Sequence, residues 1–501
     1  MKLNILFVVL PYVKEAHTFL GCPYGLLSVA TYNKDLANIK IIDCNTWEEM
    51  DDLRFLDILR EFNPDIVGFS MMYDNSYIHL GHMLDVVKQD HDSCCLTLLG
   101  GAAASYSYEE ILSEVEYLDA ICYGEGEKPF RDLLEFWERP RDVEFLSNHP
   151  SWITKKSLKR KQKPVTFFIQ DLDNVVDLDY SFVDVSAYDT YQAFSPFVDH
   201  NKKHKQFFLM TSRGCPMVCT FCSNSKIHGK KMRFTSVDRI INHIEFLVEC
   251  HGMNVLTIYD DQLLIDMPRA KRLFKRLAKF NLRIECPNGL SASFIDDEMA
   301  KLMRAAGMDT VYLAIESGSE YVLKVLMHKS LALSQAKLAV KALQENGIFV
   351  LGFFVMAMPG ETSEHRKETL QFIKDTGLDW ASLQMATPFR GSKLYDMCIK
   401  NNWITKDTSK EISTKAGGIF IETVINIPGI DSQEINREVY EINLNVNFHN
   451  NYRMKIGDYK TAVKCFKEVL RRYPEHEWAK HYLEICKKRI KENEPDRTVC
   501  S

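Results

Sequence analysis

The chain has 501 residues, 46% of them hydrophobic and 26% charged. That is core-forming material for roughly two to four domains, and it excludes a disordered chain, a collagen-like fibre and a small disulfide scaffold. Lys and Arg number 62 against 68 Asp and Glu, and the net charge of −6 gives no electrostatic reason to expect a nucleic-acid partner. No apolar run approaches the roughly 18 residues of a membrane helix, and the apolar start before Pro11 lacks a small-residue cleavage site, so a cytoplasmic chain without a transmembrane segment is expected.

Residues 1–140 alternate strand-like and helix-like patterns. Strands are expected at Asn4–Leu10, Ile39–Asp43, Asp65–Ser70, Cys95–Leu99 and Leu118–Tyr123. Helices are expected at Gly25–Lys34, Glu48–Phe62, Tyr77–Lys88, Tyr108–Val115 and Lys128–Arg139. This rhythm predicts a doubly wound, Rossmann-like α/β domain with about five parallel strands and its strand-end loops on one ligand-binding edge.

The rhythm breaks over 141–204, which reads as a linker. Lys155–Lys163 carries six basic residues in nine and reads as a solvated loop or, alternatively, an anion-binding patch. Asp171–Asp179 reads as an extended segment. From 205 to 420 the alternation resumes, with strands at Gln206–Ser212, Asn254–Tyr259, Arg283–Asn288, Thr310–Ile315, Phe349–Met356 and Trp380–Ala386. Six such units predict a partial (β/α)6 TIM-like barrel with its chemistry at the C-terminal mouth. Residues 421–501 are predicted α-helical: Gly457, Tyr459, Ala462, Phe466 and Pro474 fall at tetratricopeptide-like (TPR-like) intervals, and Glu477–Lys491 reads as the next helix. That hairpin is expected to cap the barrel or to dock a protein partner.

Most cysteines are scattered where a small buried hydrophobe would serve, as at Cys22, Cys44, Cys122 or Cys286. Cys215, Cys219 and Cys222 instead form C-x3-C-x2-C just after a predicted strand. Three soft thiolates on one loop can take three corners of an iron–sulfur cubane and leave the fourth iron open for chemistry. The competing reading is structural zinc, but zinc usually brings a second ligand pair; His228 stands six residues on and no C-x2-C or H-x3-H partner follows.

With Phe221 before the last cysteine, this triplet resembles the signature of the radical S-adenosylmethionine enzymes. The resemblance implies a [4Fe–4S] cluster whose open iron is chelated by S-adenosylmethionine, reductive cleavage to a 5′-deoxyadenosyl radical, and an external electron donor of flavodoxin or ferredoxin type. It further implies that Tyr259, Asp260 and Asp261 help hold the methionine amine, that Glu316 and Ser317 form the ribose and carboxylate site, and that Met356 packs near adenine. Thr387–Ser392 stands where relatives more often carry Pro-Gly-Thr, which makes Arg390 a substrate contact or a surface arginine.

Pro23–Leu27, Gly68–Met72, Leu99–Ala103 and Tyr123–Glu127 resemble, in order, segments of the cobalamin-binding domains fused to such enzymes. This implies a cobalamin pocket lined by Ser70, Met71, Gly100, Gly101, Gly124 and Glu125, with the glycines leaving room for a flat macrocycle. No Asp-x-His-x-x-Gly loop follows the first strand, although His17 lies nearby. The resemblance therefore implies no histidine ligand below cobalt, with Met71, Met72 or Tyr73 packed there instead. The implied activity is a cobalamin-dependent radical methyltransferase acting on an unactivated carbon or phosphorus of a small-molecule biosynthetic intermediate. The alternatives are a radical cyclase or ring-rearranging enzyme of the same architecture, or a non-catalytic cobalamin-binding sensor or scaffold.

Overall fold

The computed structural model describes residues 2–12, 20–48, 50–72, 76–91, 94–137, 143–188, 194–404 and 422–493. Strands β1 (Leu3–Val9), β2 (Ala37–Asp43), β3 (Ile66–Ser70), β4 (Leu96–Gly100) and β5 (Ala120–Cys122) run parallel in the order β2-β1-β3-β4-β5. Their near-continuous apolar sequences follow from burial on both faces: Leu6, Val8, Phe69 and Leu99 enter one core cluster, and Ile5, Phe7 and Leu98 another. The chain leaves β1 toward β2 on one side and returns to β3 on the other, which opens a crevice at their C-terminal ends. Val9 stands opposite Ser70 and Ser70 opposite Gly100, so these strand ends form one level edge.

Three details depart from the expected pattern. A sixth strand, β6 (Trp152–Ile153), pairs antiparallel with β5, so the sheet has six strands and draws on the segment read as linker. Two residues are too few to show a period, although both are buried. The helix expected from Tyr108 begins at Ala102, immediately after Gly101; its first turn, Ala-Ala-Ala-Ser, carries no hydrophobic periodicity. The basic run starts as a short helix, Lys155–Lys159, because Thr154 and Ser157 form a reciprocal capping box.

Asp171–Asp179 is a packed strap rather than a free linker. Asp171, Asp179 and Asp184 each accept a backbone N–H two residues on and open three 3-10 turns. The strap buries Leu172, Val176, Leu178 and Tyr180. Asp179 N donates to Thr31 Oγ1 (3.0 Å) and Phe208 N donates to the Tyr180 hydroxyl (3.2 Å), so the strap knits the first domain to the barrel.

The barrel begins with β7 (Gln206–Leu209), followed by a small antiparallel pair, β8 (Ser212–Arg213) and β9 (Arg233–Phe234). Next come β10 (Val255–Ile258), β11 (Arg283–Glu285), β12 (Thr310–Glu316), β13 (Phe349–Met356) and β14 (Trp380–Met385). β7-β10-β11 and β12-β13-β14 are two parallel half-sheets joined by a Leu290–Leu313 bridge. The edge of β14 is covered by Asn447, whose side-chain amide donates to Ala381 O (2.7 Å) and accepts from Ala381 N (2.9 Å).

The C-terminal helices turn their apolar faces inward. Phe448, Ala462, Phe466 and Val469 share a buried cluster with Tyr312, Phe349 and Trp380, so the hairpin caps the barrel. No helix among the described residues is long and apolar enough to cross a membrane.

Candidate active site

The cysteine loop leaves β8 through Gly214, whose φ of +105° and close approach to Lys231 O require glycine; a Cβ there would lie 2.4 Å from that oxygen. Cys215 N donates to Gly229 O (2.9 Å), Thr220 N to Met327 O (2.9 Å) and Cys222 N to Cys219 O (3.2 Å), so the loop is pinned along its length. Cys215 is buried, and Cys219 and Cys222 are half-buried. Burial pushes all three thiols up, and the proximity of Cys219 and Cys215 helps carry Cys222 to about 12. Lys329 opposes this at Cys219 and Cys215.

These soft donors are close enough to perturb one another, yet among the described residues no three His, Cys, Asp or Glu side chains converge on one ion position. As soft donors on one pinned loop, the three thiols fit three corners of an iron–sulfur cubane. Phe221 wedges behind the loop against the cluster of Val322, Met358 and Leu394.

Next to the thiols, β12 ends irregularly. Its register shifts between Ala314 and Glu316, and Glu316 holds a φ of +73° while accepting from Lys329 Nζ at 3.0 Å. Ser317 turns away into the core, accepting from Ser319 N and meeting Thr369 Oγ1. Met356 is fully buried beneath the end of β13.

The adjacent Asp260 and Asp261 have different fates. Asp260 accepts from Thr211 N (2.5 Å), Thr211 Oγ1 (2.6 Å) and Ser212 Oγ (2.6 Å), so it braces the start of the cysteine loop. Asp261 accepts from Asn224 Nδ2 (3.0 Å), meets His228 Nδ1 at 2.8 Å and lines a cavity. Tyr259 lies parallel to Phe208, ring centroids 5.4 Å apart, and lines the same cavity.

That cavity, about 1020 Å³, lies between the glycine edge of the first sheet and the barrel lumen. Ser70, Met72, Gly100, Gly101 and Gly124 line one side; Tyr259, Asp261, Asn288 and Gln384 line the other. Gly100 has no heavy atom within 4 Å of where a Cβ would stand, so it opens into space; Gly101, with φ +105°, would drive a Cβ to 2.4 Å from Met71 O. Met71 is itself buried and shapes this edge from behind, while Met72 is half exposed at the cavity. Tyr73 and His17 lie outside the described residues. An open glycine edge facing so large a space fits a flat macrocycle.

The cavity thus gathers Ser70, Gly100, Gly101, Gly124, Glu125, Tyr259 and Asp261. The thiols, Phe221, Asp260, Glu316, Ser317, Met356 and Met71 stand outside its lining, although the cysteine loop adjoins it through Ser223 and Asn224.

Glu125 does more than line a pocket. Its carboxylate takes both arms of Arg233 (2.9 and 2.5 Å) and the Ile169 N–H (2.9 Å), while Glu127 accepts from Arg213 (2.7 Å) and Ser28 (2.7 Å). All four charged residues are buried. Burial works against the Glu127 charge, but the Arg213 guanidinium outweighs it and holds the carboxyl below its ordinary value. The Gly-Glu-Gly-Glu turn therefore clamps the cysteine loop to the first domain. Arg213 and Arg233, flanking the cysteine loop, were the signal available in the sequence. Arg390, too, spans the domains: it pairs with Glu110, donates to Ser107 Oγ (3.1 Å) and borders the cavity.

With this geometry in place, comparison is informative. The family model for the radical SAM superfamily matches residues 209–373, and that for the B12 binding domain matches residues 16–134. The chain is 28% identical over 449 residues to an uncharacterized methyltransferase of Pyrococcus horikoshii, covering 87% of this chain and 91% of that protein. It is 29% identical over 407 residues to the cytidylyl-2-hydroxyethylphosphonate methyltransferase of Streptomyces wedmorensis, covering 75% and 74%. Among solved structures, the radical S-adenosylmethionine methyltransferase TsrM of Kitasatospora setae, with cobalamin and a [4Fe-4S] cluster bound, superposes with a TM-score of 0.62 at 16% identity, covering 81% of this chain and 76% of that one.

Proposed function

We propose that this chain, whose residues 209–373 match the radical SAM superfamily model and residues 16–134 the B12 binding domain model, methylates an unactivated carbon or phosphorus centre of a small biosynthetic intermediate. The supporting observation is one cavity, about 1020 Å³, shared by the glycine edge and the barrel mouth beside the thiol loop. When bound there, a [4Fe–4S] cluster with S-adenosylmethionine supplies one-electron cleavage chemistry and cobalamin supplies a transferable methyl group.

The residues divide that work. Cys215, Cys219 and Cys222 would hold the cluster, on a loop pinned by Gly214, Asp260 and the two buried arginine–glutamate pairs. Glu316, steadied by Lys329, offers a carboxylate to the nucleoside's hydroxyl or ammonium groups. Asp261, oriented by Asn224 and His228, offers another at the cavity wall. Gly100 would leave room for the macrocycle, and Met72 would offer it a soft apolar surface at the cavity wall.

Thirteen free cysteines among the described residues suit a reducing compartment, and we read the protein as cytoplasmic.

The test is anaerobic reconstitution followed by product analysis. A gain of one methylene unit in the product with 5′-deoxyadenosine formed alongside is expected; an unchanged carbon count would replace methylation by rearrangement. The similarity to a phosphonate methyltransferase makes small phosphonate-bearing carbon skeletons the first acceptors to try.

A further inference from the structure

We propose that the surface over the thiol loop is the docking face for an acidic one-electron carrier protein, with Phe167 and Val165 at its centre and Lys226, Lys230 and Lys231 as its charged rim. This assignment rests on Cys215, Cys219 and Cys222 being cluster ligands, and it adds where the electron enters.

The face is built by the segment following the basic run. Val165 N donates to Pro150 O (2.9 Å) and Ser151 Oγ donates to Val165 O (2.8 Å), which fixes 165–169 in an extended course. Side chains alternate along extended chain. Thr166 accordingly packs on Gly124 and Phe168 on Gly229, each within 3 Å of where a glycine Cβ would stand. The Arg233 guanidinium sits over the Phe168 ring at 4.9 Å.

Val165 and Phe167 are left pointing outward, 58% and 47% exposed. Gly229, under Phe168, is the residue whose carbonyl accepts from Cys215 N. The Phe168 ring and the Gly229 backbone therefore link this segment to the thiol loop. Val218, inside the loop, is also 44% exposed.

Charge completes the face. Lys226, Lys230 and Lys231 are exposed, and no carboxylate pairs with any of them among the described residues. Lys159, Lys161 and Lys163, in the basic run just before Val165, are exposed and unpaired in the same sense. A chain of net charge −6 thus gathers unneutralised cations beside the site that has to be reduced.

An apolar centre with a basic rim matches the small, electrostatically steered interfaces of redox partners, and selects a carrier with an acidic surface. One electron leaves the carrier's flavin or iron–sulfur centre, which is oxidised by one unit; the site held by the three thiolates is reduced by one unit, and no atom or proton crosses.

The experiment compares the full chain with the triple variant Lys226→Glu, Lys230→Glu, Lys231→Glu and, separately, Phe167→Ser. Binding of an acidic flavodoxin is measured by titration calorimetry, and cluster reduction is followed with flavodoxin or with dithionite as reductant. Expected are wild-type affinity that falls steeply with added salt, binding about tenfold weaker in the triple variant, flavodoxin-driven reduction slowed by a similar factor, and dithionite-driven reduction unchanged.

Unchanged flavodoxin binding in both variants, or salt-independent binding, would overturn the face. So would equal slowing with dithionite, or weakened binding of a single-stranded RNA probe with flavodoxin-driven reduction untouched. Should the wild-type chain take up no iron, the cluster reading fails instead, and calorimetry on the unreconstituted chain still decides the docking face.

Discussion

On one side of the cavity the chain presents Gly100, Gly101 and Gly124, where the functional property is that a side chain is missing. Beyond the opposite wall, adjoining the cavity through Ser223 and Asn224, stand three thiols and a set of carboxylates held by named partners. The glycine edge is backbone shaped by its neighbours, so it tolerates chemistry poorly and geometry changes worse. The thiol side depends on specific donors and on the buried ion pairs and hydrogen bonds that hold their loop. The contrast predicts that the two sides fail differently, and substitutions can separate them.

The largest effect belongs to the thiols. Cys219→Ala should abolish the cluster's visible absorption and 5′-deoxyadenosine formation while cobalamin still binds, measured by iron content, spectra and product analysis. If cobalamin binding vanished with the iron, the two sides would not be independent.

Next comes the clamp between them. Glu127→Ala leaves the buried Arg213 with only Glu125, 3.4 Å away, and should cost about 3 kcal/mol, read by thermal or denaturant unfolding. The pH dependence follows from the lowered Glu127 pKa. Its contribution is present above the ordinary glutamate value of 4.5 and is lost as pH falls through the lower folded value, so the wild-type advantage over Glu127→Gln should persist through neutral pH and shrink only in acid.

The two adjacent glycines sharpen the comparison further. Gly101→Ala forces a side chain into φ +105° against Met71 O and should cost about 1–3 kcal/mol of stability as well as cobalamin affinity. Gly100→Val has open space and no strained φ, so unfolding should move little while cobalamin binding, followed by absorbance titration, weakens about tenfold or more.

The smallest effect is a slope. Burial raises Glu361 to about 7, with one carboxylate oxygen left without a partner. A raised carboxyl favours the fold below the unfolded value of 4.5 and loses that contribution as pH rises through about 7, so Glu361→Gln should flatten the stability profile across that window.

The same contrast explains what could be read before the structure. The thiol side was legible because cluster ligation imposes a spacing on one short loop, and the βα alternation was legible because both periods run over many residues. Glycines on the other side were visible as letters, but the distinction between Gly100 and Gly101 resides in φ and in Met71, which local sequence does not display.

Pairing at a distance was hidden for a related reason. Arg213 meets Glu127 across 86 residues and Arg233 meets Glu125 across 108, so Glu125 read as a pocket residue when its carboxylate is occupied by the interface. Asp260 and Asp261 are neighbours with equal chemistry. The turn of the chain after β10 sends the first into Thr211 and Ser212 and the second to the cavity. Arg390 was open between substrate and solvent because its partner, Glu110, lies in a helix of the other domain.

The most direct test of the central claim is electron paramagnetic resonance of the anaerobically reconstituted, reduced protein before and after addition of S-adenosylmethionine. A cluster held by Cys215, Cys219 and Cys222 with one iron open should give a [4Fe–4S] signal whose g values shift when the molecule is added. A spectrum indifferent to S-adenosylmethionine, or a preparation that holds zinc in place of iron, would contradict it.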